Sequence, residues 1–597
     1  MRTAKRRGRW GEGWAGGLGA MLALLMVGGT GCGGSNASGG TGGGSGSGNP
    51  GVGSTSGAGG SASMGDPNDL SAPAVSVQGG AAIASGGQGQ NGGLVHLLAQ
   101  GDISFDPTMA PAAASVPSAP SGATAVAASA LAADASITGD AVVSGKVQSG
   151  GSDAVRKLSV SGNLYVTGTL QSADLGSAGQ GLDLVVGGSV YVTGTITSAG
   201  AAGSGEAAGP ITVQAGGDVV LDGKVLLRGG DSATQGGAGA KLTIDANGAV
   251  QLGGVIDARG GPATGSGGTL AGGAAGEIHV GEMAAPTAIT IFVPVIASGG
   301  PGGAAAGKGG TITPEPNAGN VNVAGAMEID LRGGDSMSAP GTGGLLNGGP
   351  RQDPGSGGVH ITGEIVASGG SITMGGSGNG ADGGRVDMEL TPTDGAVAID
   401  AGAKITAKGG DAHGAGTAGG GGHVWFFTKD GDETIAGTVD TSGGDASDPG
   451  GVGGGGGMIY FFSDNNHNGV QVCKGNLWVT STGLLVSSGG NGTMGGSARN
   501  NGTGNGVASF PDMQETFAVF LNCDGEHGNT CNWMKNDGQV TARGGVHDGT
   551  GGDVCYHGIP PGVLGTGGPN SGDYPVPPGM VDNSGDGSGK QGDFAGE

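Results

Sequence analysis

Gly363-Glu-Ile-Val-Ala-Ser-Gly-Gly370 is one copy of an eight-residue phrase, Gly-x-aliphatic-x-small-[Ser/Arg/Lys]-Gly-Gly, that occurs ten times along the chain. The other copies start at Gly80, Gly223, Gly254, Val293, Met327, Ala403, Gly437, Gly483 and Gly538. The third position is aliphatic except in the first copy, where it is Ala82. The fifth is small or Leu, and the sixth is always Ser, Arg or Lys. A period of two is that of a strand, so positions three and five should face a core and positions four and six water. The closing Gly-Gly predicts a corner, where the chain needs positive φ and close backbone approach. A helix is disfavoured, because each helical Gly costs about 1 kcal/mol relative to Ala.

Working outward, many octads are preceded by Gly-Gly and a short alternating run, as from Gly92, Gly357 and Gly383. Between the two lies a short aliphatic segment such as Ala396-Val397-Ala398-Ile399. One repeat is then two or three short strands with sharp corners, and the fold class predicted is all-β, a parallel β-solenoid (β-helix) with glycine-rich corner loops. Octads from Gly223 to Gly437 start about 31 to 40 residues apart, within the range of stacked repeats. Shorter relatives at Gly145, Gly168 and Gly194 are spaced at roughly 23 to 29. The added length is mostly Gly, Ala and Ser after the octad, which implies a constant coil with a variable loop on one side of the stack. The competing reading is a disordered glycine-rich polymer, favoured by 149 glycines in 597 residues and 3% aromatics. Regular β-branched alternation, which a solvated polymer does not need, favours the solenoid over it, and over a sandwich or barrel with glycine loops.

A solenoid grows in one dimension, so 597 residues need no single compact core. The formal net charge of −25 argues against a nucleic-acid partner, because phosphate binding wants a basic face. The first residues, 1–32, read as a signal peptide: Arg2, Lys5, Arg6, Arg7 and Arg9 precede an apolar run from Leu18 to Val27. The following Gly29-Thr30-Gly31-Cys32 resembles the lipobox of bacterial lipoproteins, with Gly31 in place and Gly29 where that family usually has Leu. The resemblance covers the first 32 residues only. It implies lipidation of Cys32, a membrane partner through the lipid anchor, and, with Gly33 next, the outer membrane or cell surface of a Gram-negative bacterium. Residues 33–73 read as a Gly/Ser-rich disordered tether and 74–470 as the solenoid, with a Pro/Ala-rich interruption at 106–133. Residues 471–560 read as a Cys-containing terminal cap and 561–597 as a mobile tail.

Few constellations carry chemistry. Cys473, Cys523, Cys531 and Cys555 form an even set in an exported chain and are read as disulfides bracing the C-terminal cap, with Cys523–Cys531 and Cys473–Cys555 preferred among three connectivities. Their spacing with His527 and His557 matches no zinc motif. The aromatic runs from His423 to Thr428 and from Met458 to Ser463 lie 35 residues apart, about one coil. They should stack, with alternate rings in the core and an outward pair, Trp425 and Tyr460 or Phe426 and Phe461 depending on register, as a binding stripe for glycan or another cell-surface partner. Asp582, Ser584, Asp586 and Asp593 have the spacing of a calcium loop without its flanking helices, which makes calcium the one cofactor to consider. In Arg228–Asp231, Arg332–Asp335 and Lys408–Asp411 a basic residue stands three before Asp, read as repeated surface ion pairs of little individual worth.

The repeats resemble those of glycine-rich bacterial surface proteins and, more loosely, of filamentous haemagglutinin-like adhesins, over about residues 74 to 550. The resemblance implies an extended structural or adhesive element. The expected protein is an exported, lipid-anchored cell-surface rod without catalytic activity. The alternatives are a polysaccharide-active β-helix enzyme, which needs paired carboxylates beside sugar-stacking rings, and a calcium-dependent surface-layer component.

Overall fold

The computed structural model describes residues 115–127, 134–148, 155–172 and most of 181–498. Beyond these it describes 518–521, 534–550, 554–556, 580–582, 584 and 594–596. Among the described residues every regular element is a strand. Apart from one two-stranded hairpin, the strands fall into three parallel sheets of 13, 13 and 14 strands. Each coil contributes one strand to each sheet. A representative coil runs from a long strand, Ile211–Ala215, through a middle strand, Val219–Leu221, to an octad strand, Lys224–Leu226. The next coil repeats the set at Leu242–Ala246, Val250–Leu252 and Val255–Asp257, in register. The chain is a parallel β-solenoid.

Alternation sets the interior. Octad position three is buried at Val225, Ile256, Ile329, Ile365, Ile405, Leu485 and Val540, and position five at Leu227, Ala258, Leu331, Ala367, Ala407 and Ala542. In the long strands Ile211 and Val213 point in while Thr212 and Gln214 are half-exposed. One apolar cluster runs from Val126 to Val554. Its aromatic part is Phe426 on Phe461, with ring centroids 5.1 Å apart and planes 4° from parallel. Glu433 interrupts it: it occupies an inward row between Val397 and Leu477, is 1% exposed, and neither carboxyl oxygen has a hydrogen-bond partner. Burial, with Asp432 adding to it, raises its pKa well above the ordinary carboxyl value.

The Gly-Gly corner is required by close approach, and none of the described octad Gly-Gly residues has positive φ. A Cβ on Gly410 would strike the carbonyl oxygen of Gly370 in the preceding coil, as one on Gly444 would strike that of Gly410. The first glycine of the pair is held equally closely by the returning end of the loop, Gly409 by Gly419 and Gly443 by Gly454. A zigzag of backbone hydrogen bonds stitches both sides together. Gly410 donates to Ala381 (2.8 Å), Gly419 to Gly410 (2.8 Å), Gly444 to Gly419 (2.9 Å), Gly454 to Gly444 (2.9 Å) and Gly490 to Gly454 (2.8 Å). Each loop therefore leaves and returns through a narrow glycine neck. Beyond the neck the loops also stack, through parallel bridges such as Ala412 to Ala446 and Thr417 to Val452, over a small cluster of Ala412, Ala418 and Ala446.

Polar side chains satisfy the remaining corner amides. Asp335 Oδ1 accepts the Ser371 N–H (2.8 Å), Ser371 Oγ that of Asp411 (2.9 Å), Asp411 Oδ1 that of Asp445 (2.8 Å) and Asp445 Oδ1 that of Asn491 (2.6 Å). This corrects the ion-pair reading. Asp335 and Asp411 cap the backbone of the next coil, while Arg332 pairs with Asp330 and Glu328 on its own strand. A second ladder at the turn before the middle strands runs from Asp140 through Asn163, Ser189 and Asp218 to the N–H of Ala249.

Two boundaries also change. Thr124–Ala125, inside the expected interruption, is a strand paired with Ala141 and Val142, and Val126 enters the core. The expected tail supplies Met580–Asp582 to the octad sheet, beside Gln539–Thr541, and Phe594–Gly596 to the long-strand sheet. Asp582 is thus a strand residue and the Ser584 carbonyl accepts the Gly544 N–H (2.9 Å); Asp586 and Asp593 lie outside the described residues. So do the octad at Gly80, Cys32, Cys473, Cys523 and Cys531, while Cys555 stands in register between Phe520 and Ala595.

The neck makes a sharp prediction at two adjacent glycines. A Cβ at Gly419 meets the Ala381 carbonyl, whereas at Gly420 the nearest atom lies 3.4 Å away. Gly419→Ala should destabilise by about 1–3 kcal/mol and Gly420→Ala should stay within about 0.5 kcal/mol, read by thermal melting of the two variants side by side.

Candidate functional site

The outer face of the long-strand sheet changes character along the stack. One row of outward positions reads Thr212, Thr243, His279 and Thr313, each in register with the next, and the paired strand continues it as Asn347, Asp387, Trp425 and Tyr460, again in register. It passes from hydroxyls, one imidazole and an amide through an acid to aromatic rings. The strands at that transition are Arg385–Leu390, His423–Thr428 and Met458–Ser463. Their alternation puts Val386, Met388, Val424 and Phe426 in the core. Arg385, Asp387, Glu389, His423, Trp425 and Phe427 consequently share the outer face.

Asp387 is the centre of this group. Its Oδ2 lies 2.6 Å from Nη2 of Arg385, and its Oδ1 lies 3.6 Å from Nδ1 of His423 in the next coil. The His423 ring packs edge-on against Tyr460, with centroids 5.8 Å apart. Asp387 is 6% exposed, His423 1% and Tyr460 4%. Burial pushes the Asp387 carboxyl up to about 6, and the Arg385 guanidinium opposes that rise. Beside it, Trp425 and Phe427 lie nearly parallel, with centroids 6.0 Å apart and 19° between planes, both half-buried.

The two rings of the expected stripe, Trp425 and Tyr460, differ in exposure. The register puts Phe426 and Phe461 inside and both Trp425 and Tyr460 outside. Trp425 keeps an accessible face, but Tyr460 is packed against His423 and buried. The ring that accompanies Trp425 is Phe427, two residues along the same strand. Sequence reasoning missed Arg385, Asp387, Glu389 and His423, although their signal was present: charges at alternate positions of a strand whose other positions are Val, Met and Leu.

The arrangement can do two things. Two near-parallel rings beside carboxylates and a guanidinium offer a stacking surface and hydrogen-bonding groups to a sugar. A carboxyl titrating near pH 6 can also exchange a proton. Glu389 lies two strand residues on, about 6.6 Å along the backbone, as a second carboxylate on the same face. Among the described residues no group of three or more His, Cys, Asp and Glu is placed to hold a metal ion.

The pKa displacement has a measurable consequence. Asp387 is raised from 3.8 to about 6 in the folded chain, so its contribution is fully present below about pH 4 and lost as pH rises through 6. The loss is on the order of 3 kcal/mol. Asp387→Asn should melt higher than the parent chain at pH 7.5, with the difference vanishing below pH 4; equal melting temperatures at both pH values would show that the carboxyl is not desolvated.

Compared with known proteins, the chain matches no family model, no curated protein and no solved structure.

Proposed function

We propose that this chain is an exported, lipid-anchored surface solenoid that acts as an adhesive element by binding glycan on the outer face of its long-strand sheet. The observation that carries the reading is the half-buried Trp425–Phe427 pair beside Arg385, Asp387 and Glu389. A sugar ring presents an apolar face that stacks on such rings and hydroxyls that the flanking charged groups bond. The signal segment and Cys32 support the export and anchoring part of the proposal. A lipid on Cys32 would tether the solenoid through the Gly/Ser-rich residues 33–73.

A second reading is favoured by one feature. Asp387, titrating near 6, and Glu389 are two carboxylates on one sheet face beside a ring platform, the minimum a glycoside hydrolase needs. The burial of Asp387 and its pairing to Arg385 weigh against direct access to a glycosidic oxygen, which places binding ahead of hydrolysis.

Affinity electrophoresis in gels containing soluble β-glucan, galactomannan or polygalacturonate tests both readings. Adhesion predicts that at least one polysaccharide retards the full chain, and that Trp425→Ala reduces the retardation several-fold without release of reducing ends. Release of reducing ends, abolished by Asp387→Asn, would establish the hydrolase instead. Failure of all three to retard the chain would remove the glycan reading. In the same cells, Cys32→Ser should move the chain out of the membrane fraction.

A further inference from the structure

The octad sheet carries a second feature, made where two of its own regularities lapse together. In the strands Val255–Asp257 and Glu328–Asp330, octad position four is Asp and position six Arg, so each arginine folds back onto its own strand. Arg259 donates Nε to Asp257 Oδ1 (2.9 Å) and Nη2 to Oδ2 (2.7 Å), and Arg332 donates Nε to Asp330 (2.9 Å). One coil earlier, position four is Leu226 and position six is Arg228. Arg228 is exposed, and among the described residues its guanidinium has neither ion pair nor hydrogen bond.

The corner ladder lapses in the same place. After most octads the Gly-Gly is followed by Asp, Ser or Asn, whose side chain accepts the N–H of its counterpart one coil on. After Gly261 and Gly300 the residues are Pro262 and Pro301, which have no N–H to offer. Asp231 therefore turns to the preceding coil, where its Oδ1 accepts the Gly203 N–H at 2.8 Å. Its Oδ2 has no partner among the described residues.

These groups line one cavity of about 510 Å³, walled by Arg228, Asp231, Arg259, Pro262, Ser298 and Pro301 with octad glycine backbone between them. That volume falls within the range of small-molecule sites. Arg259 is neutralised by Asp257, and its Nη1 is not used in that pair. The cavity thus presents one free guanidinium and one free carboxylate oxygen between glycine backbone and the rings of Pro262 and Pro301. Phosphate or sulfate is disfavoured, because Asp231 would repel a second negative charge. A carboxylate flanked by hydroxyls satisfies both sides: the guanidinium takes the carboxylate as a planar fork, and the Asp231 oxygen accepts from a hydroxyl.

We propose that the corner cavity at Arg228 and Asp231 binds the carboxylate of an acidic saccharide, of the uronic acid class. It lies on a different sheet from the Trp425–Phe427 platform and does not depend on that reading. Departures from a local pattern are expected at functional positions, and here Arg228 and Asp231, which differ from their counterparts in the next coil, meet at one opening.

Isothermal titration of the full chain with trigalacturonate, at 0.15 M salt so that the bulk charge is screened beyond about 8 Å, tests this. Arg228→Gln should weaken binding at least tenfold. Leu226→Asp should do the same, by supplying the in-strand carboxylate that Arg259 and Arg332 already have; circular dichroism establishes that both variants keep the β fold. Lys408→Gln, at the same octad position but outside the cavity, should leave this binding unchanged, which separates the cavity from general surface charge. The proposal is overturned if trigalacturonate gives no heat, if Arg228→Gln binds as tightly as the parent, or if a neutral trisaccharide or inorganic phosphate binds equally well.

Discussion

The solenoid depends on how closely one coil can lie on the next at its glycine neck. A parallel stack with a coil every 4.8 Å or so leaves no room for a side chain where four backbone segments meet: the outgoing and returning ends of one loop and of its neighbour. Gly409, Gly410 and Gly419 stand at such a meeting point, each with a carbonyl where its Cβ would be. The N–H and C=O groups of Gly410 and Gly419 are used in the zigzag between Ala381, Gly410, Gly419 and Gly444, and the Gly409 N–H donates to Ser442 in the next coil. The loops beyond can vary in length because the neck below them does not.

That constraint explains why a chain with so few large side chains has a defined interior. The three sheets hold rows that are mostly Val, Ile, Leu and Ala, with aliphatic side chains above and below, so packing repeats in place of being solved anew in each coil. Polar ladders do the same for the corners. An Asp, Asn or Ser that caps the next coil's amide also fixes the register between coils, since a slip of one residue would leave both groups unpaired.

Much of the fold could be read from the octads, because they carry both the strand alternation and the corner. Position three and position five face inward as their residue types demand, and stacking of the two aromatic runs follows from their spacing of one coil. The reason for Gly-Gly was half legible. A sequence does not say whether a glycine supplies positive φ or closeness, and here closeness alone applies. The corner Asp was misread for a related reason: three residues before it, Arg or Lys looks like its partner, but the amide one coil away is hundreds of atoms distant along the chain and invisible to local pattern. The burial of Tyr460 on its outward face was not legible because alternation gives the face of a residue and not what lies across it.

The same logic says where function is to be sought in a repetitive molecule. A repeat that conforms does only what every other repeat does, so chemistry must come from residues that depart from their row. Three departures occur. Along the long-strand sheet a row of Thr and Asn gives way to Asp387, Trp425 and Tyr460, bringing a carboxyl that titrates near 6 beside a ring pair. Along the octad sheet Leu226 leaves Arg228 without an in-strand carboxylate and Pro262 leaves Asp231 without the amide its counterparts cap. Glu433 is a third departure of a different kind, inside the core and closed to any ligand, where its neutral form is the one the interior tolerates. What distinguishes the first two from the third is access to solvent, and that places the search for ligands on the outer faces of the long-strand and octad sheets.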